Sequence, residues 1–501
     1  MLRSNLLRPK DLVIVKWSRS HQNAARPFDD LPSLTLMEIA RFANPFSIKH
    51  MKHYFETFFD KYDQIFKLRY PGSKYYQVWT CNPLDGQELL RNDGPMPITT
   101  GFDFFVHYRN KIRDEKYISK GLVGAHGQKW HEVRTFVQQD MMRPRSAMFY
   151  IDTVDSSSRQ LCDLFKYHRD EADVVQDVLP NVYRWALDSI TSIFLNAKIG
   201  CLDQNPSADA ISLVTQANVI LGPDLFKLLT RPPVWKYFET PTFKRVDSAS
   251  NDVYNLCRKY INEAADKIDM KNKETQTISD ELSVLEKMFL RSGDDREIPT
   301  IMAMDAMMAG VDTTGAAATF LLYHLASNVE EQEVLYREIC DHIGPRTSDP
   351  ITEAKLKRMK YLRACAQESH RLRPVGAGVG RRTQVPMVLS NYRVPRGVSV
   401  QYLAFVSSSC PSQFDDPQVF RPERWLRGDA RHHQAHAFSY IPFGHGSRMC
   451  IGRRFAELEL SILVIRALQA FRLSYSGPEV GWVLAFTSKP DKMVNIKFSD
   501  R

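Results

Sequence analysis

From Arg296 to Asn328 the chain carries apolar side chains on nearly every side of a helical wheel. A helix that is hydrophobic all round must bury all its faces, so this stretch predicts a helix threaded through the core of a large protein. Asp294 or Asp295 supplies the cap, and Pro299 falls in the first turn, where a missing N–H costs nothing. A membrane span is the competing reading, but Asp305 and Asp312 interrupt it, and carboxylates in hydrocarbon are costly. Inside the run, Ala309-Gly310-Val311-Asp312-Thr313-Thr314 makes a polar step. An acid beside an alcohol that holds water is suited to proton delivery. The plainer reading is a threonine pair that softens the helix next to an ordinary hydrogen-bonded aspartate.

The second constraint is the loop Phe443-Gly444-His445-Gly446-Ser447-Arg448-Met449-Cys450-Ile451-Gly452, which opens into an amphipathic run. A cysteine that ligates a metal must stay deprotonated, which calls for backbone N–H donors, a helix N-terminus and a nearby cation. Gly444, Gly446 and Gly452 let the backbone approach a flat macrocycle, Arg448 is placed to pair with a propionate, and Phe443 shields the sulfur from water. Behind the loop, Phe455, Leu458, Ile462, Ile465 and Leu468 recur at helical spacing, leaving Arg453, Arg454, Glu457 and Glu459 for other surfaces. The other seven cysteines read as buried structural thiols.

This loop resembles the haem-binding signature of the cytochrome P450 family, thiolate-ligated haem monooxygenases. The resemblance implies haem b with Cys450 as the axial iron ligand, and a mostly α fold with small β-sheets and a long central helix over the haem. It assigns proton handling to Asp312 and Thr313. It places Trp130-His131-Glu132-Val133-Arg134 on a helix beside the haem propionates, where Trp130, Arg134, Arg381 and Arg448 are the donors. In Glu368-Ser369-His370-Arg371 the carboxylate and guanidinium three apart share a helix face, and Arg373-Pro374 ends that helix. Arg424, in Phe420-Arg421-Pro422-Glu423-Arg424-Trp425, completes a buried network with them, a structural lock behind the haem. These motifs stand in the family's order along well over half of the chain.

With 501 residues and 43% hydrophobic content, the chain can build one large core, and no repeat or linker divides it after residue 30. Residues 388–394 read as a short hairpin. Residues 1–28 differ: six basic side chains, one acid and three serines resemble a mitochondrial transit peptide, ahead of a single domain at 29–501. The apolar run Leu12–Val15 is far too short for an anchor. Of the formal charge of +9, +5 sits in the leader, leaving +4. The remaining basic residues are interspersed with acids, which argues against nucleic-acid binding. Gly376-Ala377-Gly378-Val379-Gly380 lacks the spacing of a dinucleotide loop.

Gly452-Arg453-Arg454-Phe455-Ala456-Glu457-Leu458-Glu459 is similar to the animal mitochondrial branch, whose members take electrons from an acidic ferredoxin served by its reductase. Arg363 and Gln367 align with two docking positions that are commonly basic there; Gln367 departs from the pattern, and Lys360, Arg363, Arg453 and Arg454 supply the positive potential. Residues 225–245 mix aromatic and basic side chains suited to a membrane interface, which implies peripheral association on the matrix side of the inner membrane. The expected activity is oxygen insertion from O2 into a lipophilic substrate, sterol- or steroid-like or xenobiotic, with Met304, Met308 and Val379 as pocket candidates. A haem-thiolate isomerase or dehydratase, or a non-catalytic haem sensor, has no need of the Asp312–Thr313 pair.

Overall fold

The apolar run is one unbroken helix. In the computed structural model, which describes residues 25–42, 51–69, 75–100, 105, 107, 109, 121–220, 222–230, 234–271, 282–293, 295–428, 435–484 and 487–501, it spans Glu297–Ser327. Its ends follow from local chemistry: the Asp295 carboxylate accepts the Glu297 N–H at 2.8 Å, and Asn328 Nδ2 donates to the His324 carbonyl at 2.7 Å. Asp294 and residues 1–24, with most of the proposed leader, lie outside the described residues.

The principal helices are α1 (Leu36–Phe42), α2 (Met51–Tyr62), α3 (Pro83–Arg91), α4 (Gly127–Met141), α5 (Ile151–His168), α6 (Leu179–Phe194), α7 (Ala208–Ile220), α8 (Pro241–Lys271), α9 (Val284–Ser292), α10 (Glu297–Ser327), α11 (Val329–His342), α12 (Lys360–Leu372) and α13 (Arg453–Ala470). Helix α10 is the hub, packed against α6, α8, α12 and α13. Two glycines bring α6 close. A methyl group at Gly310 would sit 2.1 Å from Ile190 Cδ1, and one at Gly315 would sit 2.2 Å from the Tyr183 ring.

Sheets are small and peripheral. Strands β1 (Ile65–Leu68), β2 (Gln77–Thr80), β3 (Ile98–Thr99), β5 (Val379–Arg382) and β8 (Ser399–Tyr402) form one sheet in the order β1-β2-β8-β5-β3. Its β2–β8 pair is parallel and the other pairs are antiparallel. Strands β4 (Val174–Val175), β12 (Ile496–Asp500) and β9 (Phe471–Ser474) form a second sheet in that order, and β10 (Trp482–Leu484) pairs with β11 (Ser488–Pro490). The expected hairpin is β6 (Met387–Leu389) with β7 (Tyr392–Val394), turned by Ser390 and Asn391 at φ of 43° and 68°. Two consecutive positive φ values give the tight turn whose twist matches the strands. Strand β5 also explains the glycine-rich stretch before it, because a side chain at Gly378 would strike the Tyr402 carbonyl at 2.2 Å. The mostly α architecture with small sheets is thus as the sequence predicts.

Helix α13 corrects one expectation. It is not an amphipathic helix with a single buried stripe: Leu460, Leu463, Val464, Arg466 and Glu459 are as buried as Ile462 and Ile465. The helix lies among α5, α10, α11 and α12, so Glu459, Arg466 and Gln469 have no solvent to face.

Candidate active site

The loop before α13 is closed by a hydrogen bond from the Cys450 N–H to the Phe443 carbonyl at 2.8 Å. Gly444 and Gly446 adopt φ of +71° and +75°, a region open to glycine, and so turn the chain back sharply enough to present the cysteine. Gly452 plays a different part, as the N-cap residue of α13. Of the eight cysteines only Cys450 is exposed, and what it faces is an internal cavity of about 400 Å³. Burial pushes its thiol up from the ordinary value. The backbone N–H groups of Gly452 and Arg453 and the Arg134 guanidinium act in the opposite direction, toward the thiolate.

That cavity gathers residues far apart in the chain: Thr313 and Gly310 of α10, Arg381 of β5, and Phe443, Arg448 and Cys450 of the loop. Val379 also lines it, whereas Met304 and Met308 do not; both are buried in the core, and Met302 takes the place expected of them. Trp130 and Arg134 stand just behind, both buried on α4. Arg134 Nη2 donates to the Met449 carbonyl at 3.0 Å, and the Arg448 guanidinium stacks 3.8 Å from the Trp130 ring centre. Arg448 also donates to the carbonyls of Pro97, Leu122 and Ala125, which fixes the chain on one side of the cavity.

Charge counting tests whether haem fits. Arg134, Arg381 and Arg448 lie close enough for mutual repulsion. Burial, then Arg381, lowers Arg448 to about 9; Asp93 opposes this, and Arg134 adds to the lowering. Asp93, ion-paired with Arg381, is the counter-charge among these residues. Three guanidiniums against one carboxylate leave two positive charges, which matches the two propionates of haem. Among the described residues no three His, Cys, Asp or Glu side chains cluster as a metal site. An iron bonded to Cys450 would need further ligands from a bound group, such as the nitrogens of a porphyrin. The donor set fits the group.

On α10 the polar step divides. Thr313 faces the cavity, its hydroxyl donating to the Ala309 carbonyl at 2.6 Å. Asp312 is buried and points away, held by Tyr183 Oη at 2.8 Å, Lys489 Nζ at 2.7 Å and the Thr487 hydroxyl. Behind the loop, Glu368 accepts from Arg371 Nε and Nη2, Arg424 Nε, Trp425 Nε1 and the Arg421 N–H at 2.8 to 3.0 Å, with both arginines buried. The three-membered network is present as expected, with Trp425 as an added donor.

Several residues of the site had no sequence signal. Asp93, Tyr183 and Lys489 reach it only through the fold. His370, which lines the cavity and is pushed down to about 4 by burial, packs edge-on against Phe443. Glu459 had a signal, since it lies four residues after Phe455 and three before Ile462, on the edge of the apolar stripe.

A family model described as "Cytochrome P450" matches residues 35–487. Similar proteins include "Cytochrome P450 12b1, mitochondrial" of Drosophila acanthoptera, 32% identical over 420 residues that cover 81% of this chain and 77% of that protein. "Cytochrome P450 CYP12A2" of Musca domestica is 29% identical over 500 residues, covering 96% and 92%. "Probable cytochrome P450 49a1" of Drosophila melanogaster is 31% identical over 430 residues, covering 83% and 72%.

Proposed function

The chain belongs to the cytochrome P450 family of haem monooxygenases, and from that premise we propose that it hydroxylates a lipophilic, sterol- or steroid-like or xenobiotic substrate in the mitochondrion. The observation that carries this reading is the single cavity onto which Cys450, Thr313, Arg381 and Arg448 open together. When bound there, haem supplies the redox chemistry of oxygen activation, with electron density from the Cys450 thiolate favouring O–O cleavage. Arg134, Arg381, Arg448 and Trp130 hold its propionates, and Phe443 covers the sulfur.

Thr313 keeps its hydroxyl proton on the Ala309 carbonyl, so its oxygen is left to accept from water in the cavity. Asp312 lies on the other side of the same turn, and its partner Lys489 is partly exposed. This arrangement suits an entry point for protons, with Asp312 exchanging Lys489 for water. The substrate occupies the part of the cavity lined by Leu122, Met302 and Ala306.

Electrons come from a ferredoxin-type donor with its reductase, docking at a groove of about 640 Å³ lined by Lys357, Arg363, Gln367, Arg453 and Arg454. Arg453 and Arg454 share Glu457, and Arg363 donates to the Leu356 and Lys357 carbonyls, so the groove is positive but modestly so. Residues 1–28 act as a transit peptide, and the domain at 29–501 associates peripherally with the inner membrane on its matrix side. Val234, Tyr237 and Phe238 support this contact, the last two at 82% and 75% exposure. Trp235 does not belong to that surface: it is buried, stacked on Phe243, and donates to the Leu228 carbonyl at 3.1 Å.

Thr313→Ala tests the assignment. With a lipophile selected by its haem spectral shift, the variant should bind substrate as the wild type does. Product formed per reductant consumed should fall by about tenfold or more, with peroxide released. Full coupling in the variant would contradict the proton role of Thr313.

A further inference from the structure

The donor groove and the haem cavity share a wall. His370, Pro442, Phe443, Gly444 and Leu460 line both spaces, so one layer of side chains separates them. Of these residues only His370 and Phe443 carry π systems in their side chains, and the two rings meet edge-on with their centres 6.0 Å apart. Phe443 is tied in turn to the sulfur-bearing residue, because its carbonyl accepts the Cys450 N–H at 2.8 Å.

Electron tunnelling decays steeply through empty space and less steeply through bonds and atoms in contact. The groove side of this wall is well connected. On α12, Gln367 is exposed and lines the groove, and His370 follows three residues later on the same face. Arg453, another groove residue, stacks 5.5 Å from the centre of the Phe443 ring, so a donor held by Arg453 is brought against that ring. Other rings cross less well: Tyr440 and His445 line the groove but not the cavity, Phe455 lines the cavity but not the groove, and Trp130 lines neither. Burial pushes the His370 imidazole down to about 4, so it adds no charge beside the thiolate near neutral pH.

We propose that electrons cross from the groove to the haem by way of the His370 and Phe443 rings, with His370 as the relay on the groove side of the wall. In each passage the docked donor loses one electron and the iron gains it. Neither ring is itself oxidised or reduced; their π electrons only couple donor to acceptor. The inference rests on reading the cavity as the haem pocket and the groove as the donor's seat.

The test uses the haem-loaded full chain and a probe of fixed position, which makes the result independent of donor docking. A ruthenium polypyridyl complex is attached at Gln367→Cys, with Cys340→Ser removing the other partly exposed thiol. A flash in the presence of a sacrificial amine reduces the complex, and the absorbance of the haem under carbon monoxide times the arrival of the electron. His370→Leu, which fills the space without a π system, should slow this arrival several-fold, and His370→Phe should restore it. The reduction potential and the carbon monoxide band should be the same in all three proteins. Equal rates throughout, a His370→Phe as slow as His370→Leu, or a loss of rate matched by a lowered potential each overturn the proposal. If His370→Leu fails to accumulate, His370→Met is judged by the same criteria. Absence of the carbon monoxide band from the labelled parent would instead mark failure of the haem reading.

Discussion

At the scale of single residues, the strongest commitments are buried charges. Glu368 bridges Arg371 and Arg424 where water does not reach, and further guanidinium donors are spent on the carbonyls of Ser408, Pro417 and Asp415. Removing the carboxylate leaves two desolvated cations facing each other. Glu368→Gln should therefore destabilise the protein by about 3–5 kcal/mol, read as a fall in denaturation midpoint and in haem-bound yield. A midpoint close to wild type would mean that the network is wetter than its geometry. This network was legible in the sequence because its helical half is local: residues three apart meet on one face. The same holds for Cys450, whose loop carries its own glycines and arginine. Asp93 and Lys489 were not legible, because each meets its partner across more than a third of the chain, and nothing in the local pattern of either announces it.

At the scale of elements, the central helix was readable to its caps, since a run apolar on all sides has one destination. Helix α13 was misread for a related reason. A hydrophobic stripe says which face is buried but not that a second layer covers the rest, and Glu459 was left to other surfaces on that basis. The β6–β7 hairpin gives a test at this scale. Its turn is pinned by Asp85, which accepts the Ser390 N–H and hydroxyl and the Thr80 hydroxyl, each at 2.6 Å. Burial pushes Asp85 up from 3.8 to about 6 against those bonds. The folded state thus holds the proton more tightly than the unfolded chain. The stability it contributes is complete below about pH 3.8 and is lost as pH rises through about 6. The stability difference between wild type and Asp85→Asn should shift against the wild type by about 3 kcal/mol over that window. A difference that stays constant with pH would show that Asp85 remains charged in the folded protein.

At the scale of the whole molecule, the fold brings three arginines, one thiol and an apolar chamber to one place, and turns other surfaces outward. No helix among the described residues is long and apolar enough to cross a membrane; the membrane contact proposed above is a surface one. Tyr237 and Phe238 carry that prediction: replacing both by Ser should reduce flotation with anionic liposomes by at least about threefold at unchanged haem content. Flotation equal to wild type would assign the two rings elsewhere. Substrate chemistry was the least legible feature, because the chamber is walled by Ile190, Phe194 and Met302, ordinary core residues whose spacing gives no hint that they border a void. The central claim remains that Cys450 binds haem iron as an anion. The measurement closest to it is the carbon monoxide difference spectrum of the reduced, purified protein. The wild type should give the red-shifted band of thiolate ligation, and Cys450→Ala should lose it; a protein without the pigment, or with the band of an imidazole ligand, would contradict the account.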